Sequence, residues 1–363
     1  MSVNFLGTIN PLQVKSLQHL HCKMHFRMIR SSFTMQNILK KFNSTLPQIP
    51  VIDIGPVMCG IDDPSVINNI CSGANNFGAF QVINHGINDK QILSASKHFL
   101  SSSKDKKMVA SKGDGIWGYF GLFGEQTQGI PDVKEGTHLR SELSYLRNVD
   151  LSKFPLREPN KWPHQKDFPN FRAAIESNFA EVYQTACAIS RCISTKLGWE
   201  SNYFINNIIS QFEWIGIFRY HQDQNRIHPN FGVGQHSDPA MFSVVTSDAE
   251  GLQIKLPSSD SWVDVPVMEG AVVILINDYL DYITNGYCKS SVHRVLKPTS
   301  SDRYSVTTFV APHFDLEMSM EHIGDGVSDH VRDAVNKNNY TVVGEHMIQQ
   351  LVHSLGKTTI QKP

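Results

Sequence analysis

The chain has 363 residues, of which 40% are apolar and 18% charged, an ordinary composition for a folded protein and too apolar for a disordered one. Its 33 Lys and Arg against 34 Asp and Glu leave a formal charge of -1, which offers little to a nucleic-acid backbone or an anionic membrane. No apolar run approaches the ~18 residues of a membrane-spanning helix, so a small-molecule partner is expected and oligomeric state is left open.

Residues 1–48 contain no Asp or Glu but carry Lys15, Lys23, Arg27, Arg30, Lys40 and Lys41. An acid-free basic leader is what an organelle-targeting segment looks like, or a disordered one. The cytoplasm is the expected compartment, with mitochondrion or plastid as the alternative. The cysteines Cys22, Cys59, Cys71, Cys187, Cys192 and Cys288 form no CxxC pair, which fits a reducing compartment and gives no support to a zinc ribbon.

Folded structure is expected from Ile49-Pro-Val-Ile-Asp-Ile54, an alternating strand. Val66, Ile67, Ile70 and Ala74 predict a helix over 64–76, and Ala79-Phe-Gln-Val-Ile83 a strand. A helix over 89–102 is expected behind the cap Asn88. Residues 103–165 show little periodicity and read as irregular structure, where Trp117, Tyr119, Phe120 and His138 are either pocket lining or core. Phe171, Ile175, Phe179, Val182, Ala186, Ile189 and Ile193 then mark a long helix to about Leu197.

After Trp199 the pattern becomes short apolar runs at 215–220, 241–246, 252–256, 262–265, 271–276, 290–296 and 303–310, separated by turns such as Asn285-Gly286. Helices first and such strands later predict a mixed α+β chain with a jelly-roll core. The divisions expected are a leader (1–48), an N-terminal region (49–165), a long-helix region (166–210), the β core (211–315) and a C-terminal tail (316–363).

A His-x-Asp pair with a distant His can place three ligands on one face of a metal and leave the other positions open, as O2-activating Fe(II) sites require. His-x-Asp alone is weak, since His221-Gln-Asp223 and His313-Phe-Asp315 match it as well as His236-Ser-Asp238. The pair at 236 ends a turn feeding the run Phe242-Ser-Val-Val245, and 55 residues after Asp238 comes His293 inside a strand, then Arg303 and Ser305 at alternate positions of another. A guanidinium fork and a hydroxyl on one face, with Tyr220 nearby, suit the far carboxylate of a dicarboxylic keto acid. The plainer readings are a surface arginine and a hydrogen-bonded core histidine.

At these residues the sequence resembles the isopenicillin N synthase-like family of Fe(II)/2-oxoglutarate-dependent oxygenases. The likeness runs through Gly232-Val-Gly-Gln-His-Ser-Asp238, Gly251-Leu-Gln-Ile254, Trp262-Val-Asp-Val-Pro266, Thr284-Asn-Gly286, Ser291-Val-His-Arg-Val295 and Arg303-Tyr-Ser305. Ile49-Pro-Val-Ile-Asp53, Gly78-Ala-Phe-Gln-Val-Ile-Asn-His-Gly86, Asp132-Val-Lys-Glu135 and Pro159-Asn-Lys-Trp-Pro163 extend it N-terminally. The resemblance implies a double-stranded β-helix, Fe(II) on His236, Asp238 and His293, and 2-oxoglutarate on Arg303, Ser305 and Tyr220. It implies that O2 is consumed, that 2-oxoglutarate becomes succinate and CO2, and that a small molecule is hydroxylated or desaturated. Phe218, Met241 and Asn277-Asp278 depart from the family pattern and bear on the substrate. A 2-oxoglutarate-independent Fe(II) oxidase and a catalytically inactive binding module are the rivals, with a zinc hydrolase more remote.

Overall fold

Alternating and β-branched runs produce two facing sheets, with helices over the outside of the larger one. The computed structural model describes residues 47–142, 158–222, 230–318, 323–338 and 342–354; the expected basic leader lies outside these but for its last two positions. In chain order the elements begin with strand β1 (Val51–Asp53), helix α1 (Gly55–Met58), α2 (Pro64–Asn76), β2 (Ala79–Ile83), α3 (Asp89–Leu100) and α4 (Lys104–Met108). Strands β3 (Gly118–Phe120), β4 (Gln126–Thr127), β5 (Ile130–Pro131) and β6 (Lys134–Arg140) come next, ahead of α5 (Phe171–Lys196) and α6 (Tyr203–Asn207). The β half comprises β7 (Ile209–Tyr220), β8 (Phe231–His236), β9 (Phe242–Ser247), β10 (Leu252–Lys255), β11 (Trp262–Asp264) and β12 (Ala271–Ile276). Helix α7 (Asp278–Ile283), β13 (His293–Leu296), β14 (Arg303–Pro312), α8 (Asp329–Asn338) and α9 (Val343–Ser354) complete it.

The larger sheet runs β1-β2-β12-β9-β14-β7-β6-β3 and the smaller β11-β10-β13-β8, with β4 and β5 as a separate hairpin. Together they form the jelly roll, in a mixed α+β chain. Alternation decides the faces. On β7 and β14 the outward Ile215, Ile217, Tyr304 and Val306 pack against Ile92, Phe99, Phe171, Ile175 and Phe179 from α3 and α5. The opposite face of the sheet sends Phe218 and Tyr220 of β7 and Val245 of β9 inward to meet Val233, Ile254 and Val295 of the smaller sheet.

Helix starts follow local chemistry. Asp63 accepts from the backbone N–H of Ser65 and Val66 at the head of α2, and Asn88 accepts from Gln91 at the head of α3. Residues 103–165 are more regular than their periodicity predicts, because β6 belongs to the main sheet and pairs with β7 along its length. Its sequence, Lys134-Glu-Gly-Thr-His-Leu-Arg140, carries charges where a core strand normally carries aliphatics, and all seven residues are buried. The segment after Asp315 also folds: Val331, Val335, Val343 and Met347 of α8 and α9 join the core shared by α2 and α5. Among the described residues no helix is long and apolar enough to cross a membrane.

Candidate active site

The ends of β8 and β13 set the centre of the site. These strands pair antiparallel with His236 opposite His293, so the two imidazoles are cross-strand neighbours with ring centroids 4.3 Å apart. Strand β8 ends at His236, and Asp238 lies in the turn beyond it. Its Oδ1 is 3.5 Å from His236 Nε2 and its Oδ2 is 3.7 Å from His293 Nε2. One donor atom from each residue falls within 4.8 Å of the other two.

Each imidazole is turned by a backbone bond, His236 Nδ1 with Gly234 O at 2.9 Å and His293 Nδ1 with Ser291 O at 3.0 Å. Nδ1 therefore carries the hydrogen and Nε2 presents its lone pair toward Asp238, the arrangement in which histidine binds metals. Burial, with His293 adding to it, holds the His236 imidazole down to about 4, so it is neutral at physiological pH and ready to ligate. Asp238 is fixed by Ser243 Oγ, which donates to Oδ2 at 2.6 Å. Asp278 accepts from Ser237 Oγ at 3.1 Å and from Ser290 Oγ at 2.6 Å, tying together the two segments that carry the histidines.

Register carries the chemistry along the sheet. Arg303 pairs with Tyr220 and Tyr220 with Lys134, forming one row; Ser305 and Phe218 form the next. Arg303 is 1% exposed and its Nε donates to Ala249 O at 3.0 Å, while Nη1 is buried without a protein partner. A buried guanidinium with an unused donor calls for an anion, since an uncompensated buried charge costs several kcal/mol. Its carbon lies 5.0 Å over the Tyr220 ring, and Ser305 is buried on the same face. Gly232 makes room for the tyrosine, since a Cβ there would meet Tyr220 Cδ1 at 2.6 Å, while Gly251, beside Arg303, has a φ of +126° that favours glycine. The donor set fits a divalent cation that prefers nitrogen and carboxylate ligands, with a dicarboxylate reaching from it to Arg303.

A cavity of about 340 Å³ joins these groups and continues past them to Trp214, Phe218, Phe309 and His138. Leu351 and His353 of α9 also line it, with Gln126 of the β4–β5 hairpin, whose Nε2 donates to His353 O at 3.2 Å. Of the aromatic residues around 117–120, Trp117, Tyr119 and Phe120 are buried in packing, with Phe120 stacked on His138. Met241 is fully buried in the core outside the cavity, whereas Phe218 lines it. His221 pairs with Glu135 and the residues at 313 and 315 are exposed, so neither of the other His-x-Asp pairs joins the centre. Sequence reasoning missed Glu125, Asp132 and Lys134, an ion cluster in the cavity wall with Lys134 Nζ 3.1 Å from each carboxylate. Burial alone would raise the Glu125 carboxyl, but His138 and Lys134 outweigh it and hold it well below the usual range.

Two family models match the chain. The 2OG-Fe(II) oxygenase superfamily model covers residues 202–312, and the model for the N-terminal region of a non-haem dioxygenase in morphine synthesis covers 49–165. A curated relative, the 2-oxoglutarate-dependent dioxygenase tropC of Talaromyces stipitatus, is 27% identical over 85% of this chain and 96% of its own length. A homoarginine-6-hydroxylase of Glycine max is 27% identical over 74% of this chain and 86% of its own. Among solved structures, a full-length Neurospora crassa protein in complex with alpha-KG superposes with a TM-score of 0.67 at 22% identity, covering 84% of this chain and 96% of that one. JOX2 in complex with 2OG, Fe and JA gives 0.61 at 22%, covering 88% and 98%.

Proposed function

The chain belongs to the 2OG-Fe(II) oxygenase superfamily and is an Fe(II)/2-oxoglutarate-dependent dioxygenase, and from that premise we propose that His236, Asp238 and His293 hold its iron while Arg303, Ser305 and Tyr220 hold the cosubstrate. Bound iron supplies O2 activation, by which 2-oxoglutarate is decarboxylated to succinate and CO2 and a small molecule is hydroxylated or desaturated.

What the protein contributes is position and charge. The two Nδ1 bonds keep both Nε2 lone pairs on the metal side, and Ser243 keeps Asp238 turned toward them. Arg303 neutralises the far carboxylate and fixes which end of the keto acid faces the metal. Phe218, Tyr220 and Val245 exclude water around it. The single observation that best supports this division is the buried, unpartnered Arg303 Nη1 in the same cavity as the three ligands. The near-neutral charge supports a small-molecule partner rather than a nucleic acid or a membrane surface. For compartment we propose the cytoplasm, with an organelle as the alternative if the basic leader directs import.

The test is an anaerobic titration of the Fe(II)-loaded protein with 2-oxoglutarate, followed by the visible metal-to-ligand charge-transfer band. A saturable band that is lost in His236→Ala carries the assignment. A band that survives that substitution sinks the ligand set, and iron binding without any band moves the chain to the oxidase branch.

A further inference from the structure

The cavity also constrains the substrate, on the reading of the metal and cosubstrate ends just given. Its volume of about 340 Å³ lies near the small end of ligand pockets, roughly 300–1,000 Å³, and it must hold 2-oxoglutarate as well. Trp214, Phe218, Phe309 and Leu351 line the cavity beside polar residues such as Gln126 and Gln350, which favours a small substrate body with an apolar face.

Most of the charge in that wall is already matched. Lys134 is paired with Glu125 and Asp132, and Glu125 Oε1 lies 2.7 Å from His138 Nε2. His138 Nδ1 is different. It is a buried polar atom without a hydrogen-bond partner, on a side chain that lines the cavity and is 8% exposed.

Register places it. His138 sits opposite Gly216, which sits opposite Thr307, which sits opposite Val245. That row is removed from the Arg303–Tyr220–Lys134 row, with His138 four residues along β6 from Lys134, roughly 13 Å at strand rise. It adjoins the row of Phe309 and Ser243, whose hydroxyl holds Asp238. His138 thus belongs to the metal end of the cavity and stands clear of the cosubstrate's far carboxylate.

Its chemistry follows from Glu125. A carboxylate at Nε2 takes the hydrogen bond from that nitrogen, so in the singly protonated tautomer that donates to Glu125 it is Nδ1 that turns its lone pair to the cavity. The imidazole is held in orientation by stacking on Phe120, 5.5 Å between centroids at 22°, and by the edge of Phe218. We propose that His138, positioned by Glu125, is the specificity-determining residue of the substrate subsite, accepting a hydrogen bond from the N–H or O–H of a small, flat, largely apolar substrate. Lactams and phenols are the chemical classes that supply such a donor on such a body.

The experiment uses matched probes: 2-pyridone against N-methyl-2-pyridone, and phenol against anisole. Binding to the anaerobic Fe(II)/2-oxoglutarate protein is followed by perturbation of the visible band, and to the redox-inert Zn(II)/2-oxoglutarate protein by ligand-observed NMR. Wild type should favour each donor-bearing probe over its methylated partner by at least about tenfold, since leaving a buried acceptor unpaired is costly. His138→Phe, which preserves the stack on Phe120, and His138→Gln, which preserves a polar contact to Glu125, control for packing. His138→Phe should bring the pairs level while leaving 2-oxoglutarate affinity unchanged. In Glu125→Gln the ratio should narrow, whereas a merely structural role would weaken both members of a pair alike. Equal binding of the methylated probes, discrimination that survives His138→Phe, or no probe binding to protein that binds 2-oxoglutarate overturns the proposal. Failure of 2-oxoglutarate itself to bind overturns the underlying reading of the site instead.

Discussion

The guanidinium of Arg303 is buried with its Nη1 unpartnered, and this carries the sharpest consequence of any single side chain at the site. Arg303→Ala should raise the Kd for 2-oxoglutarate by about 100-fold, near 3 kcal/mol, and Arg303→Lys should recover little because an ammonium cannot fork. A wild-type Kd in Arg303→Ala, read from the visible titration, would refute the role. His236, Asp238 and His293 stand out in the sequence because candidate ligands recur in a fixed order on strands, and the structure brings those three together. The ion cluster of Glu125 and Lys134 does not, since nothing in a sequence separates a buried ion pair from a solvated one. Next to Trp214 on β7 but not lining the cavity, Glu213 is buried, and burial pushes its carboxyl up to about 8 against the opposing bond from Ser141. The folded state therefore keeps a proton that the unfolded chain releases near 4.5, and this contribution to stability is lost as pH rises from there to about 8. Glu213→Gln should remove that slope, gaining on the order of a few kcal/mol relative to wild type at pH 9. Urea midpoints at pH 6 and pH 9 decide it; parallel shifts in both proteins would mean that the carboxyl titrates normally.

At the level of elements, helices and apolar strands follow their periodicity, and the main failure has a physical cause. Strand β6 is hidden because Glu135, Thr137 and Leu139 face outward while Lys134, Gly136 and His138 face the cavity, giving no apolar alternation. It is held by charge instead. Glu135 lies 2.6 Å from Lys107 Nζ, 3.2 Å from Arg219 Nη1 and 3.3 Å from His221 Nε2, and it accepts from Tyr119 Oη at 2.5 Å. Burial would raise this carboxyl, but His221, Lys107 and Tyr119 bring it down to about 2. Glu135→Ala leaves Lys107 buried without its carboxylate and should cost roughly 3–5 kcal/mol, with Glu135→Gln costing less. Thermal unfolding of the pair tests this, and equal losses would show that hydrogen bonding rather than charge holds β6.

For the whole molecule, the jelly roll with helices outside was readable from the order of patterns, because each sheet face must be covered by something apolar. The part played by the chain beyond Asp315 was not. Amphipathic helices α8 and α9 announce burial but not where they dock, and α9 docks at the cavity rather than on a remote face. Leu351→Ala should therefore leave the Kd for 2-oxoglutarate within about twofold, because Arg303 is held by Ala249 and Tyr220 and not by α9, while weakening substrate-sized probes. Equal weakening of both would make α9 a general scaffold rather than a wall of the substrate subsite.

The Phe218 ring lies over Gly216, where a Cβ would collide with the ring edge and approach His138 Cε1 at 3.2 Å. That contact gives the two positions an order in mutational history. Alanine can enter at 216 only after 218 has become smaller, and an aromatic can return to 218 only while 216 remains glycine. Gly216→Ala should be harmful beside Phe218 and mild beside Phe218→Asn, with a coupling of about 1 kcal/mol or more in a double-mutant cycle of unfolding. Additive costs would mean that the ring yields to the methyl group. If the coupling holds, homologous pockets at this row can be reached from one another only by paths that pass through a small residue at 218.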